Sequence, residues 1–248
     1  MHIILTGATG LVGSGVLQTM LINPSITKLS ILSRRPVPQA ENHNKANVII
    51  HKDFTTYPES VLDQLKGAEG CVWALGISSV GMDRETYKEI THTYAIRAAQ
   101  SFTSLSRPSP FKFIYVSGEG ATQTPSMFTQ MFGTIKGQTE ADLLALSSQP
   151  EYDNLRVINV RPAGVDAGEH KEIAEFVPKK SMMMKALTVA LLPLVRGLQR
   201  DMLTPTKNLG EVCTQLVAGD GEKLEGKGVV GVEGRILSNV ALRRLGGW

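Results

Sequence analysis

The run Thr6-Gly7-Ala8-Thr9-Gly10-Leu11-Val12-Gly13 sets three glycines at the spacing a backbone needs to take a diphosphate. Gly7 would allow a tight turn, Gly10 a close approach to phosphoryl oxygens, and Gly13 close packing of a helix on its strand. A helix opening at Leu11 adds free N–H groups and the positive end of its dipole. Further along, Ser33-Arg34-Arg35 offers two guanidinium groups where a ribose-reading site would carry a carboxylate. Arginine's planar fork matches phosphate oxygens, so the pair favours the 2′-phosphate of NADP(H) over the bare hydroxyl of NAD(H). The alternative is that one of the two is a solvated loop charge. Asp53-Phe54 reads either as the adenine edge of the same site or as a polar turn with one buried aromatic.

These residues need a scaffold, and the chain supplies one. Short runs rich in Ile, Val and Leu predict strands at His2–Thr6, Lys28–Ser33, Val48–His51, Gly70–Leu75, Lys112–Ser117 and Leu155–Val160. Between them, helical patterns cover Leu11–Ile22, Glu59–Leu65, Arg84–Leu105 and Thr129–Leu146. Alternating strands and helices imply a doubly wound parallel α/β sheet, the Rossmann fold, with right-handed crossovers. After Arg161 the rhythm changes to a loop with Gly164 and Gly168, a Met-rich stretch, a helix over Asn208–Ala218, a strand near Val229–Val232 and a final helix. We read residues 1–248 as one domain, with 164–205 forming a lid on the substrate side.

Composition narrows the function classes. Hydrophobic residues make 42% and charged residues 20%, an ordinary globular balance. A net charge of +3 with no basic run argues against nucleic acid. Cys71 and Cys213 stand far apart in apolar segments, as buried thiols do, and no metal-ligand spacing appears. Met1-His2-Ile3-Ile4-Leu5 lacks the basic flank of a secretory leader, so a cytoplasmic location is expected. Ser181 to Val195 is apolar, but it carries Lys185 and Pro193 and is shorter than the ~20 residues of a membrane span. Its methionines suit an adaptable pocket wall, or a helix packed on the body or on a second subunit. Lys179, Lys180, Lys185, Arg196 and Arg200 could meet a membrane surface, although interfacial aromatics are missing.

Taken together, the motifs resemble those of atypical short-chain dehydrogenase/reductases, in the Tat-interacting oxidoreductase-like branch related to nitrogen-metabolite-repression-type sensors. The resemblance rests on the glycine loop, Ala74-Leu75-Gly76, Tyr115-Val116-Ser117-Gly118-Glu119-Gly120-Ala121, Lys136-Gly137-Gln138-Thr139-Glu140 and Val160-Arg161-Pro162-Ala163-Gly164. It implies hydride transfer between a nicotinamide and a carbonyl or alcohol, with Ser, Tyr and Lys managing the proton. Ser117 matches the serine, the neighbouring Gly118 offering no hydroxyl for that role, and Lys136 matches the lysine. Leu75, Gly76, Ser117, Lys136 and Arg161 through Gly164 would then surround the nicotinamide half.

The tyrosine has no match: Phe132 stands four residues before Lys136, and Phe128 a turn earlier offers no hydroxyl either. Three readings stay open. The first is a reductase for a small, largely apolar carbonyl or alcohol, drawing its proton from water or from Tyr87, Tyr94, His92 or His170. Each of those four has a plain alternative, as a core, helix-surface or solvated loop residue. The second is a catalytically silent NADP(H) sensor that reports to a protein partner, and the third is non-redox isomerisation or cyclisation. A small-molecule substrate and either a homodimer or a regulatory partner are the expected associations.

Overall fold

A computed structural model describes residues 1–177, 202–231 and 233–248. Six parallel strands form the body of the sheet: β1 (His2–Thr6), β2 (Lys28–Ser33), β3 (Ala46–Ile50), β4 (Gly70–Trp73), β5 (Phe111–Val116) and β6 (Leu155–Val160). Two more short pairs follow, β7 (Gly164–Asp166) with β8 (Leu203–Pro205), and β9 (Val229–Val230) with β10 (Ile236–Leu237). The main sheet runs β3-β2-β1-β4-β5-β6-β10-β9, and only β9 is antiparallel to its neighbour. Strand order therefore reverses between β1 and β4, the switch point at which open α/β sheets place their ligands.

Both sheet faces are covered, which explains why β1 is buried along its whole length and reads as an unbroken apolar run. Alternation still sorts the side chains. Ile3 and Leu5 enter one core with α1 (Leu11–Ile22), α6 (Thr206–Ala218) and α7 (Asn239–Gly246). Ile4 enters the other, beneath α2 (Glu59–Leu65), α4 (Tyr94–Phe102) and α5 (Met131–Ser147).

The structure amends several expected boundaries. The long helix over Arg84–Leu105 is α3 (Arg84–Lys88), a π-helical turn at Glu89–Thr93, and α4. That turn holds the β-branched Ile90, Thr91 and Thr93, and an apolar period cannot reveal one extra residue per turn. β4 stops at Trp73 because Leu75 turns aside to donate its N–H to Thr6 Oγ1 at 3.2 Å. β10 is two residues long, too short to carry a period, and escaped the sequence reading. Most of the expected lid, including Ser181 to Val195 and its basic flank, lies outside the described residues.

Candidate dinucleotide cleft

Backbone geometry makes the phosphate end. Gly7 has φ +72°, and a Cβ there would fall 2.3 Å from Ala74 O; one on Gly13 would fall 2.0 Å from Gly7 O. Neither position admits a side chain, so strand, turn and helix close on one another. Gly10 donates its N–H to Gly7 O at 2.9 Å and heads α1 without a side-chain cap. The first N–H groups of α1 are thus left for a ligand, and Gly10, Leu11 and Val12 face the cleft. A glycine cradle with bare amides fits the diphosphate of a nicotinamide dinucleotide.

At the adenosine end, Ser33 is buried and Arg34 and Arg35 are exposed just beyond it. The Arg35 Nε donates to Thr9 Oγ1 at 3.3 Å, bringing Thr9 and Arg35 together on the wall of a cavity of about 460 Å³. Asp53 is exposed, and its carboxylate accepts from Thr55 Oγ1 and from the Thr55 N–H, which holds it below the usual carboxylate range. The Phe54 ring, by contrast, lies in the core, edge-on to His51 and Trp73 and stacked on Tyr94. Of the two expectations for this dipeptide, the buried aromatic is the one observed; the ring has no face left for adenine.

Side chains make the other end. Leu75, Gly76, Ser117, Lys136, Pro162, Ala163 and Gly164 line one cleft of about 870 Å³, together with Glu119, Met202 and Asn239. Tight packing of the 120–122 loop on α5 brings Ser117 and Lys136 together. A Cβ on Gly133 would lie 2.4 Å from Gly120 O, and one on Gly137 1.8 Å from Thr122 O. Lys136 Nζ donates to the Ser117 carbonyl at 2.6 Å and reaches the Val116 carbonyl at 3.5 Å. Burial pushes this ammonium down to about 8, with Glu140 opposing the shift. Ser117 Oγ is buried without a hydrogen-bond partner among the described residues, a hydroxyl left for a ligand or water.

Arg161 departs from its expected role as a cofactor contact. Its guanidinium forks onto the fully buried Glu140, with Nε to Oε1 at 2.9 Å, and it is absent from the cleft wall. This pair ties β6 to α5 one turn beyond Lys136. Phe132 turns its ring onto Gly120, 3.0 Å from where a Cβ would stand. The four alternative proton donors lie away from the cleft wall. Tyr87 is buried, Tyr94 stacks on Phe54, and His92 Nε2 meets Asp142 Oδ2 at 2.7 Å. His170 is buried rather than solvated, its Nδ1 3.0 Å from Thr206 Oγ1.

Sequence reasoning passed over Glu119 and Asn239. Glu119 Oε1 accepts the Asn239 N–H at 2.7 Å, capping α7. Asn239 Oδ1 accepts from Thr204 Oγ1 at 2.6 Å, and that oxygen accepts the Ala163 N–H at 2.9 Å. The chain Glu119, Asn239, Thr204, Ala163 thus ties together three residues of the cleft wall. Its members come from four separated segments, so no local spacing announces them. Groups of His, Cys, Asp and Glu able to hold a metal are absent among the described residues. No helix there is long and apolar enough to cross a membrane.

The glycine turn at a β1/β4 switch point, with Ser117 just past β5 and Lys136 on α5, defines a Rossmann fold. The chain is 34% identical over 260 residues to the leucinostatins biosynthesis cluster protein T of Purpureocillium lilacinum, across 98% of this chain and 94% of that protein, and it belongs to that protein's family. It is 39% identical over 157 residues to the botcinic acid biosynthesis cluster B protein 16 of Botryotinia fuckeliana, across 62% of this chain and 98% of that protein. No family model matches. Among solved structures, the PhqB reductase domain of Penicillium fellutanum aligns at TM-score 0.66 and 15% identity, over 96% of this chain and 66% of that one. A Bordetella bronchiseptica enzyme, WbmF, solved with NAD+, aligns at TM-score 0.64 and 12% identity, over 99% of this chain and 78% of that one. At such identities the likeness speaks for the fold.

Proposed function

We propose that this protein binds NADP(H) in the cleft and reduces a largely apolar carbonyl substrate in the biosynthesis of a small molecule. The observation that carries the proposal is the convergence, in one cleft, of the bare glycine cradle and the Ser117–Lys136 end. The biosynthesis-cluster relatives support the setting, and the reductase and NAD+-bound neighbours support the nicotinamide cofactor. Gly7, Gly10, Leu11 and Gly13 would hold the diphosphate, with Thr9, Ser33, Arg34, Arg35 and Asp53 on the adenosine side. Bound there, NADPH supplies a hydride. Leu75, Ile77, Val165, Met202 and Val240 present apolar surface to the substrate and thin the water around it.

Steady-state loss of NADPH absorbance across a panel of medium-chain and aryl aldehydes and ketones tests this. The proposal predicts turnover on at least one of them. A second reading, a binding-only sensor, is favoured by one observation, the Phe132 ring in place of a phenol. Tight NADPH binding with no turnover across the panel, and a co-purifying protein, would decide for it. Turnover of a substrate with NADPH unconsumed would instead indicate non-redox chemistry.

A further inference from the structure

Among the described residues lining the large cleft, Glu119 and Lys136 are the only ionisable side chains. Glu119 is committed to the N-terminus of α7. Phe132 has no proton to give, and Tyr87, Tyr94, His92 and His170 are held elsewhere in the fold. Residues 178–201 contain no tyrosine, histidine or cysteine, and their ionisable side chains are Lys179, Lys180, Lys185, Arg196, Arg200 and Asp201. Lys136 is differently placed. An ammonium has three donors, and the carbonyls of Ser117 and Val116 take at most two. Its Nζ lies 3.8 Å from where a Cβ of Gly118 would stand, so the lack of a side chain at 118 opens that nitrogen to the cleft.

We propose, resting on the reductase reading above, that Lys136 is itself the proton donor of this site, replacing the phenol that Phe132 cannot supply. As the carbonyl carbon accepts a hydride from the reduced nicotinamide, the C=O π pair moves to oxygen. An N–H bond of Lys136 breaks while the O–H bond of the alcohol forms. The carbonyl is reduced, the nicotinamide is oxidised, and the neutral amine recovers its proton from water. The groups facing the ammonium are compatible with this cycle. Glu140 on the next turn of α5 is neutralised by Arg161, Glu119 lines the same cleft, and burial brings Lys136 to about 8, near the working pH a general acid needs. An ordinary lysine near 10.4 would release its proton far more reluctantly.

Two measurements on the full chain test the assignment. In carbon-13 NMR of the reductively methylated protein, one resonance should vanish in Lys136→Arg, titrate with a midpoint near 8 and be protected from methylation by NADPH. Arginine keeps the charge but holds its proton. At saturating NADPH, Lys136→Arg should therefore slow single-turnover NADPH oxidation by about a hundredfold or more. Its rate should also lose the decline above pH ~8 that the unaltered protein shows. A midpoint above ~10 overturns the proposal whether or not a substrate turns over. So does Lys136→Arg retaining more than about a tenth of the rate, or Glu119→Gln abolishing the same pH decline. Failure of the reductase reading looks different: the unaltered protein then binds no NADPH or oxidises none, while the titration still reports on Lys136.

Discussion

At the β1–α1 end of the cleft the working parts are backbone: three glycines, a positive φ and uncapped N–H groups. At the β5–α5 end they are side chains, Ser117, Lys136 and Glu119, held by the buried Arg161–Glu140 pair and by contacts reaching to α7. The first end keeps every feature its motif requires. The second carries a serine and a lysine, with Phe132 where the resemblance would set a phenol. At Gly7 and Gly13 a Cβ has nowhere to go, whereas a side chain at the other end can be replaced without pressing on backbone.

The contrast can be broken most severely at the side-chain end. Glu140→Ala would strand the Arg161 guanidinium in the interior and should cost about 3–5 kcal/mol. Thermal or urea denaturation will show this as a large fall in midpoint, with Glu140→Gln retaining more of it. Gly13→Ala should cost about 2–4 kcal/mol, since its Cβ would stand 2.0 Å from Gly7 O and force α1 off β1. NADPH should then stabilise the variant far less in a thermal-shift assay than it does the unaltered chain.

Acidification probes the frame alone. His2 is buried against Ser30 Oγ at 2.8 Å, and burial, aided by Lys28, depresses it to about 4; His51 and His170 are depressed in the same direction, again chiefly by burial. Neutral in the fold, they favour the native state above pH ~6.5, and that stability is lost as pH falls through the folded values. For His2 the loss should be on the order of 2–3 kcal/mol between pH ~6.5 and 4, measured by urea midpoints, and His2→Gln should flatten it. The smallest effect belongs to the arginines. Arg34→Ala with Arg35→Ala should weaken NADPH about tenfold, or ~1.4 kcal/mol, and leave NADH unchanged in competitive titrations.

Much of the fold was legible because its signals are local. The apolar runs gave β1, β2, β5 and β6 almost to the residue, and the glycine spacing located the turn before α1. Legibility failed where the cause is non-local. The buried Phe54 ring answers to Trp73 and Tyr94, and the Arg161 fork answers to Glu140, each far away in the chain. His170 does lie in a loop, but it is buried against Thr206 instead of solvated. Glu119 was visible only as a letter in a motif, since its partner at Asn239 lies on the last helix.

Calorimetric titration of the unaltered protein with NADPH and with NADH tests the central claim most directly. One NADPH per chain, bound at least about tenfold more tightly than NADH, is the predicted result. Absence of heat and of any thermal shift with either nucleotide would contradict it.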